Sequence, residues 1–391
     1  MDHPPKKPTT ARRLLVPCFH PLDARRSPGG TIGFKPMTPF DTLLKLPCGR
    51  CIGCKIERSR QWAVRGTHEQ KQHRSSCFLT LTIANAAIRP QDSDAFCAHQ
   101  DMCTEAKSAA QLPTAREMAL DFATQSRARN HAVDNCAART VRVPYANGTR
   151  DRPSLACPEG TGPSLAIRDH QLFVKRLIRR LRDQGPIEPI RFMMCGEYGE
   201  KKGRPHYHYI LFGYDFPDKR PTKKRNGHQC YRSSLLEQLW PHGHSEIGEC
   251  NFDTIAYVAR YVTKKITGAA ADDHYKRQLP NGTNYWLQPE FNAMSRGGQA
   301  GRGGIGKNWI NKYQTSVYPH DRVISKGKRA KPPRYYDQQL EKTDPVMYDQ
   351  VKAAREAANN TTNPANKTPE RLRAGEAILH ASLTTKKRPL E

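Results

Sequence analysis

Ten residues near the middle of the chain, Arg204-Pro205-His206-Tyr207-His208-Tyr209-Ile210-Leu211-Phe212-Gly213, constrain its fold more than any others. They are rich in aromatic and aliphatic residues and close on a glycine, the composition of a strand. Side chains leave a strand on alternate faces, so His206 and His208 share one face and Tyr207 and Tyr209 the other. Two imidazoles placed this way can reach one metal ion. Further along, Tyr257-Val258-Ala259-Arg260-Tyr261-Val262-Thr263-Lys264-Lys265 has helical composition. There Tyr257 and Tyr261 stand one turn apart on a single face, which Lys264 and Lys265 continue.

These two segments are accompanied by Pro47-Cys48-Gly49-Arg50-Cys51-Ile52-Gly53-Cys54, by Phe78-Leu79-Thr80-Leu81-Thr82 and by Cys195-Gly196-Glu197-Tyr198-Gly199-Glu200. His-apolar-His followed by Tyr-x3-Tyr-x2-Lys resembles the HUH endonucleases that start rolling-circle DNA replication, in their two-tyrosine class. More narrowly, the set is similar to the replication initiators of gokushovirus-type microviruses, small single-stranded DNA phages. The resemblance covers about residues 14–84 and 165–340, and the pieces are specific jointly rather than singly. It implies an α+β fold of the split β-α-β, ferredoxin-like kind, an antiparallel sheet with helices on one face. It also implies Mg²⁺ or Mn²⁺ as cofactor, and single-stranded and supercoiled circular phage DNA as substrate. A host helicase and polymerase would be partners, and the host bacterial cytoplasm the compartment.

By the same resemblance one tyrosine nicks the origin strand, keeps the 5′ phosphate as an ester and frees a 3′ hydroxyl that primes synthesis. The second attacks the regenerated junction after one round. A free phenol has a pKa of about 10, so the nucleophile needs a metal or a cation beside it, and Lys264 stands where it could serve. Two histidines leave a metal site open, and a carboxylate on a neighbouring strand would complete it. Residues 190–198 read as a strand that a Gly/Lys turn at 199–204 folds back onto the histidine strand. Glu197 is the third ligand this arithmetic selects, with Glu200, nearer the turn, as its rival.

Charge narrows the partners independently. Sixty-four Lys and Arg against 37 Asp and Glu give a net +27 over 391 residues, a field that concentrates polyanions. Nucleic acid is the reading that charge favours. No apolar run approaches membrane-spanning length, and the amino terminus lacks a signal-peptide core. Twelve cysteines without a secretion signal suit a reducing compartment, with thiols free or on metal. Cys48, Cys51 and Cys54 form a tight knuckle, and Cys18, with Cys77 as competitor, could supply the fourth thiolate of a structural zinc site. A second function class follows from these features alone: a non-catalytic, zinc-stabilised DNA-binding or packaging protein. A metal-dependent RNA-processing enzyme, a third, would have no use for paired tyrosines.

In chain order, residues 1–13 read as a disordered basic arm, and 14–340 as the endonuclease domain. Within it, 14–72 is the Cys-rich segment with a basic amphipathic helix at 55–72, and 77–83 is a strand. Residues 92–162, polar and Ala-rich with Cys97, Cys103, Cys136 and Cys157, are a large insertion with room for a helix at 113–129. Residues 165–183 carry a helical stripe of Leu172, Phe173, Leu177, Ile178 and Leu181, with Lys175, Arg176, Arg179, Arg180 and Arg182 opposite. Basic residues 219–225 form a loop, Ser233 caps a short helix, and Asp253 caps the tyrosine helix. His242 and His244 make a second His-x-His, but in a turn-like setting. Glycines between 297 and 306 make a basic loop that could follow a phosphate backbone. Residues 341–391 form a helical and disordered basic tail.

Overall fold

The structure, a computed structural model, describes residues 18–35, 38–84, 141–145, 148–152, 164–185, 189–199, 203–225, 227–261, 265–266, 270–278, 282, 284–296, 303–360 and 364–385. The amino-terminal arm 1–13, the helix expected at 113–129, Cys97, Cys103, Cys136, Cys157, Glu200 and Lys264 lie outside these residues.

A small antiparallel sheet comes first, with β1 (Leu22–Arg26) between β2 (Ile32–Gly33) and β3 (Thr42–Leu46). Helix α1 (Ile52–Gln70) leads into β4 (Ser76–Thr82). Within the 92–162 segment only a hairpin is described, β5 (Val141–Tyr145) with β6 (Gly148–Arg152). Helix α2 (Ile167–Arg182) precedes β7 (Arg191–Tyr198), β8 (Pro205–Phe212), β9 (Arg220–Arg225) and β10 (His228–Arg232). Helix α3 (Ser234–Leu239), strand β11 (Ser245–Glu249) and helix α4 (Phe252–Arg260) follow. After α5 (Ala270–Tyr275), β12 (Lys276–Gln278) and β13 (Asn284–Trp286) comes β14 (Phe291–Met294). The chain then runs through α6 (Lys307–Val317), the hairpin β15 (Val323–Ser325) and β16 (Lys328–Ala330), α7 (Arg334–Thr343), α8 (Pro345–Asn360) and α9 (Pro369–Thr385).

The central sheet has seven strands in the order β14-β7-β8-β4-β11-β10-β9, every neighbouring pair antiparallel. Its α+β class and the Cys-rich segment before it agree with the sequence reading. On one face Leu79, Leu81, Met194, Tyr207, Tyr209 and Leu211 pack against Phe173, Leu177 and Leu181 of α2 and against Leu236, Leu239 and Trp240 at α3. The two phenols buried there are satisfied, as buried polar groups must be: Tyr207 accepts from the Ala166 N–H at 2.7 Å, and Tyr209 pairs with His170 Nδ1 at 2.8 Å. Helices pack on the second face as well, where Met193, Cys195, Ile210 and Phe212 meet Ala63 of α1 and Ile255, Val258 and Ala259 of α4. Contact is close because Gly66 has no side chain: a Cβ there would lie 2.7 Å from Ile255 Cγ2 and 2.8 Å from Met193 Sδ.

Local details depart from the sequence pattern for identifiable reasons. The buried stripe of α2 consists of Asp169, His170, Phe173, Leu177 and Leu181, whereas Leu172 and Ile178 are only half-buried. Arg176 turns from solvent to donate to the Leu239 carbonyl at 2.7 Å, tying α2 to the end of α3. Ser233 does cap α3, accepting from the Leu236 N–H. The cap of α4 is Asn251 and not Asp253, because Asn251 closes a reciprocal capping box with Thr254. The glycine-rich loop ends against α1, where the Gly306 N–H donates to Glu69 Oε2 at 2.6 Å and Arg191 donates to the Gly303 carbonyl at 2.7 Å. Beyond 340, α8 packs through buried Val351 and binds Asp321 and Asp337 through Arg355, while Glu376 of α9 pairs with His20.

Two histidines are buried as neutral groups. His68 lies between Trp309 and Tyr336, its ring 3.5 Å from the indole, and His170 sits under Tyr209. Burial, with the charge of Lys71, pushes His68 down to about 3, and burial pushes His170 down to about 4. An unfolded imidazole takes its proton near pH 6.5, so below about 6.5 the unfolded chain binds more protons than the folded one. Stability contributed by these groups is therefore complete above about pH 7 and is lost on acidification, at about 1.4 kcal/mol per pH unit for each histidine. Urea midpoints measured between neutrality and pH 4.5 should fall with this slope, and His170→Asn should make it shallower.

Candidate catalytic centre and thiol cluster

Strand register builds the first site. In the β7–β8 ladder Glu197 stands opposite His206 and Cys195 opposite His208, while in the β4–β8 ladder Thr80 stands opposite His208. Because directly opposed residues project to the same face, Glu197, His206, His208 and Thr80 all emerge toward α4. His208 Nε2 lies 3.0 Å from Glu197 Oε1, and His208 Nδ1 lies 3.1 Å from Thr80 Oγ1. His206 holds its ring nearly parallel to that of His208, 12° apart with centroids at 6.2 Å. Its Nδ1 is 2.5 Å from the Arg204 carbonyl. A carbonyl can only accept, so the His206 proton sits on Nδ1 and the lone pair on Nε2, the tautomer of a metal-ligating histidine. Burial, and then the neighbouring His208, lowers the His206 pKa and keeps the ring neutral near pH 7.

Both tyrosines close over this group. Tyr257 Oη is 3.5 Å from Glu197 Oε1 and 3.5 Å from His208 Nε2. Tyr261 stacks on His208 with ring centroids 5.8 Å apart, and its ring is 4.8 Å from that of Tyr257. Burial, with the Glu197 carboxylate and the Tyr257 hydroxyl, raises the Tyr261 pKa far above that of a free phenol. Helix α4 ends at Arg260 with Tyr261 as its C-cap, so the expected helical face does not extend to the lysines. Lys265 is not helical, and its carbonyl accepts from Lys55 Nζ at 3.4 Å.

Three neighbours of the centre were not singled out by sequence. Thr80 buttresses His208, Phe78 stacks on it with an 8° interplanar angle, and Arg260 places its guanidinium 5.9 Å from the Tyr257 ring. The parity of β4 carries the signal for the first two: Phe78 and Thr80 share a face once the strand is set beside the histidines. His242 and His244 serve the sheet through their backbones, whose carbonyls accept from Ala84 and Thr82 and extend the edge of β11 along β4.

The geometry coincides with a recognisable stretch of sequence. Residues 155–266, which hold β7, β8 and the tyrosine helix, match the family model described as replication-associated protein ORF2. The chain is 24% identical over 338 residues to the replication-associated protein VP4 of Bdellovibrio phage phiMH2K, covering 85% of this chain and 79% of that one. It is 26% identical over 326 residues to the replication-associated protein ORF2 of Spiroplasma virus 4, with 81% and 75% covered. The replication-associated protein ORF4 of Chlamydia phage 1 is 30% identical over 187 residues, 46% of this chain and 43% of its own. The chain is similar to phage replication-associated proteins. No solved structure matches it. Among the described residues no helix is long and apolar enough to cross a membrane.

The second site lies at the start of α1. Cys18, Cys48, Cys51 and Cys54 bring their sulfurs within 4.8 Å of one another, a closeness that Glu197, His206 and His208 do not reach as a trio. Cys77, the competitor of Cys18, is instead buried within β4 in the sheet core. Cys51 caps α1 by accepting from the Cys54 N–H at 3.5 Å, and the N–H groups of Cys51 and Arg50 point at Cys48 Sγ from 3.3 and 3.4 Å. Against the upward pull of burial, those two N–H groups and the neighbouring thiols bring Cys48 down to about 6. Burial raises Cys18 and Cys54. Four sulfurs converging with N–H donors aimed at them can hold a structural metal such as zinc. Protein purified without chelator should carry stoichiometric zinc by atomic emission. Cys54→Ser should lose most of the metal and lower Tm, and a wild-type chain that is metal-free yet equally stable would show the cluster to be four plain thiols.

Proposed function

We propose that the chain is a rolling-circle replication initiator of a single-stranded DNA phage, acting as an HUH endonuclease of the two-tyrosine class. The observation that carries this reading is the placement of the Tyr257 hydroxyl, 3.5 Å from both Glu197 and His208, within the segment that matches phage replication-associated proteins. In the proposed cut, a tyrosine oxygen attacks the scissile phosphorus, the bond from phosphorus to the 3′ oxygen breaks, and the 5′ phosphate stays on the protein as a phosphotyrosine ester. The phenolic proton can pass to Glu197, and the departing 3′ oxygen takes up a proton from water to become the primer hydroxyl. The second tyrosine repeats the attack on the regenerated junction and releases a closed circle. Because the ester conserves the energy of the broken bond, resealing needs no ATP.

His206 and His208 through Nε2, together with Glu197, would hold Mg²⁺ or Mn²⁺. Bound there, the ion would polarise the phosphate oxygens and favour the phenolate. Thr80 can either donate to or accept from His208 Nδ1, so the imidazole can present Nε2 as a lone pair without losing its support. The buried Tyr261 needs such help most, since its surroundings favour the neutral phenol. Arg260 and, as the sequence suggests, Lys264 would add positive charge beside the phenols. Zinc in the four-cysteine cluster, phage DNA as partner with host helicase and polymerase, and action in the bacterial cytoplasm complete the proposal.

The test uses supercoiled and single-stranded circular phage DNA with Mn²⁺. Wild-type protein should nick and remain linked to the 5′ end in denaturing gels. Tyr257→Phe combined with Tyr261→Phe should bind DNA and yield no adduct, and His206→Ala should lower nicking by more than about a hundredfold, beyond the loss of a merely supporting residue. An adduct that survives the double substitution removes these tyrosines from the chemistry. Binding without any nick by wild type would leave the zinc-stabilised DNA-binding protein as the reading.

A further inference from the structure

A groove opens from the catalytic centre along the face of β4 and β11 to the β9–β10 hairpin. It encloses about 620 Å³ including its open mouth, within the range of small-molecule sites. Thr80, His208 and Tyr257 line one end, Arg225 and His228 the other, and Phe78 lies between them. The floor is open because residue 248 is glycine: a Cβ there would lie 3.1 Å from the Phe78 ring. Glu246 stands directly opposite Thr80, which stands directly opposite His208. The carboxylate is thus two strands, or about 10 Å, from the histidine, on the same face.

The charges of this groove sort its ligand. At the sheet edge, β9 is exposed along its whole length and carries Arg220, Lys223, Lys224 and Arg225, a strip suited to phosphates. Inside, Glu246 and Glu249 repel phosphate but accept hydrogen bonds, and Phe78 offers an aromatic surface. A carboxylate beside an aromatic ring suits the amino edge of a base, and such an edge is accessible only when the base is unpaired. We propose that this groove seats an unpaired nucleobase next to the phosphate to be cut, and that Glu246 selects a base bearing an amino group. The basic strip on β9 carries the backbone of the same strand. This rests on the nicking reading for which phosphate is cut, but the base preference itself does not require cutting.

The experiment measures binding of the full chain to short single-stranded homopolymers of deoxycytidine, deoxyadenosine and deoxythymidine, by fluorescence anisotropy in EDTA. Wild type should bind at least one of the two amino-bearing polymers more tightly than oligo-deoxythymidine by about fivefold or more, the lower end of a single base contact. Glu246→Ala should erase that preference while leaving oligo-deoxythymidine affinity unchanged. Gly248→Val, which fills the floor, should do the same, and Glu246→Ala keeps the test decisive if that variant does not fold. Lys223→Ala with Lys224→Ala should weaken all three polymers alike and flatten the salt dependence. Equal binding of the three polymers by wild type, or an unchanged preference in Glu246→Ala, overturns the proposal. Loss of adducts in the nicking assay with the preference intact would count against the nicking reading and not against the groove.

Discussion

The hydrogen-bond ladder that joins β4, β8 and β7 is the constraint on which the rest depends. It sets Thr80, His208, His206 and Glu197 on one face in a fixed order, and it sends Tyr207 and Tyr209 into the opposite core. A slip of one residue would exchange these sets, placing imidazoles among the apolar side chains of α2 and two phenols against α4. The core therefore protects the centre. Every buried contact made by Tyr207 and Tyr209 is also a restraint on where the two histidines point.

What closes the other side of the centre is a helix too short to stand alone in water. Nine residues of α4 are held by the Asn251–Thr254 capping box at one end and by the packing of Ile255, Val258 and Ala259 on the sheet. Tyr257 and Tyr261 are consequently buried beside a carboxylate, a setting that favours the neutral phenol at Tyr261. A nucleophile stored in this state is inert until positive charge arrives. The same burial that blunts the phenol also keeps water from competing with it.

Much of this was legible in the sequence because the signals were local. The histidine alternation, the turn at 199–204 and the position of Glu197 suffice to place a carboxylate opposite an imidazole, since a hairpin is counted residue by residue. The cysteine spacing places three sulfurs together, and the structure chooses Cys18 over Cys77, which sits 1% exposed in the sheet core. Other features were hidden for physical reasons. Helix α1 reads as a basic, solvated element, yet its small residues Ala63 and Gly66 are what let it lie on the sheet, and small residues carry little periodic signal. Asn251 and Asp253 are both good caps, and only the third position, Thr254, distinguishes them. Residues 307–343 hold Trp309, Tyr318 and Tyr336 in a separate cluster around His68, where stacking across distant segments leaves no pattern along the chain. Lys264, in contrast, remains an argument from position.

Helix α1 works as a strut with a fitting at each end. At its start Cys51 is both a cap and a member of the sulfur cluster, and near its end Glu69 grips Arg191, His73 and the Gly306 amide. Midway, Gly66 presses on Ile255, two residues before Tyr257 in the next helix. Protein interiors transmit small displacements because they are close-packed. The amino-terminal knuckle, remote in sequence from the tyrosines, thus sets the alignment of the rod against which their helix leans.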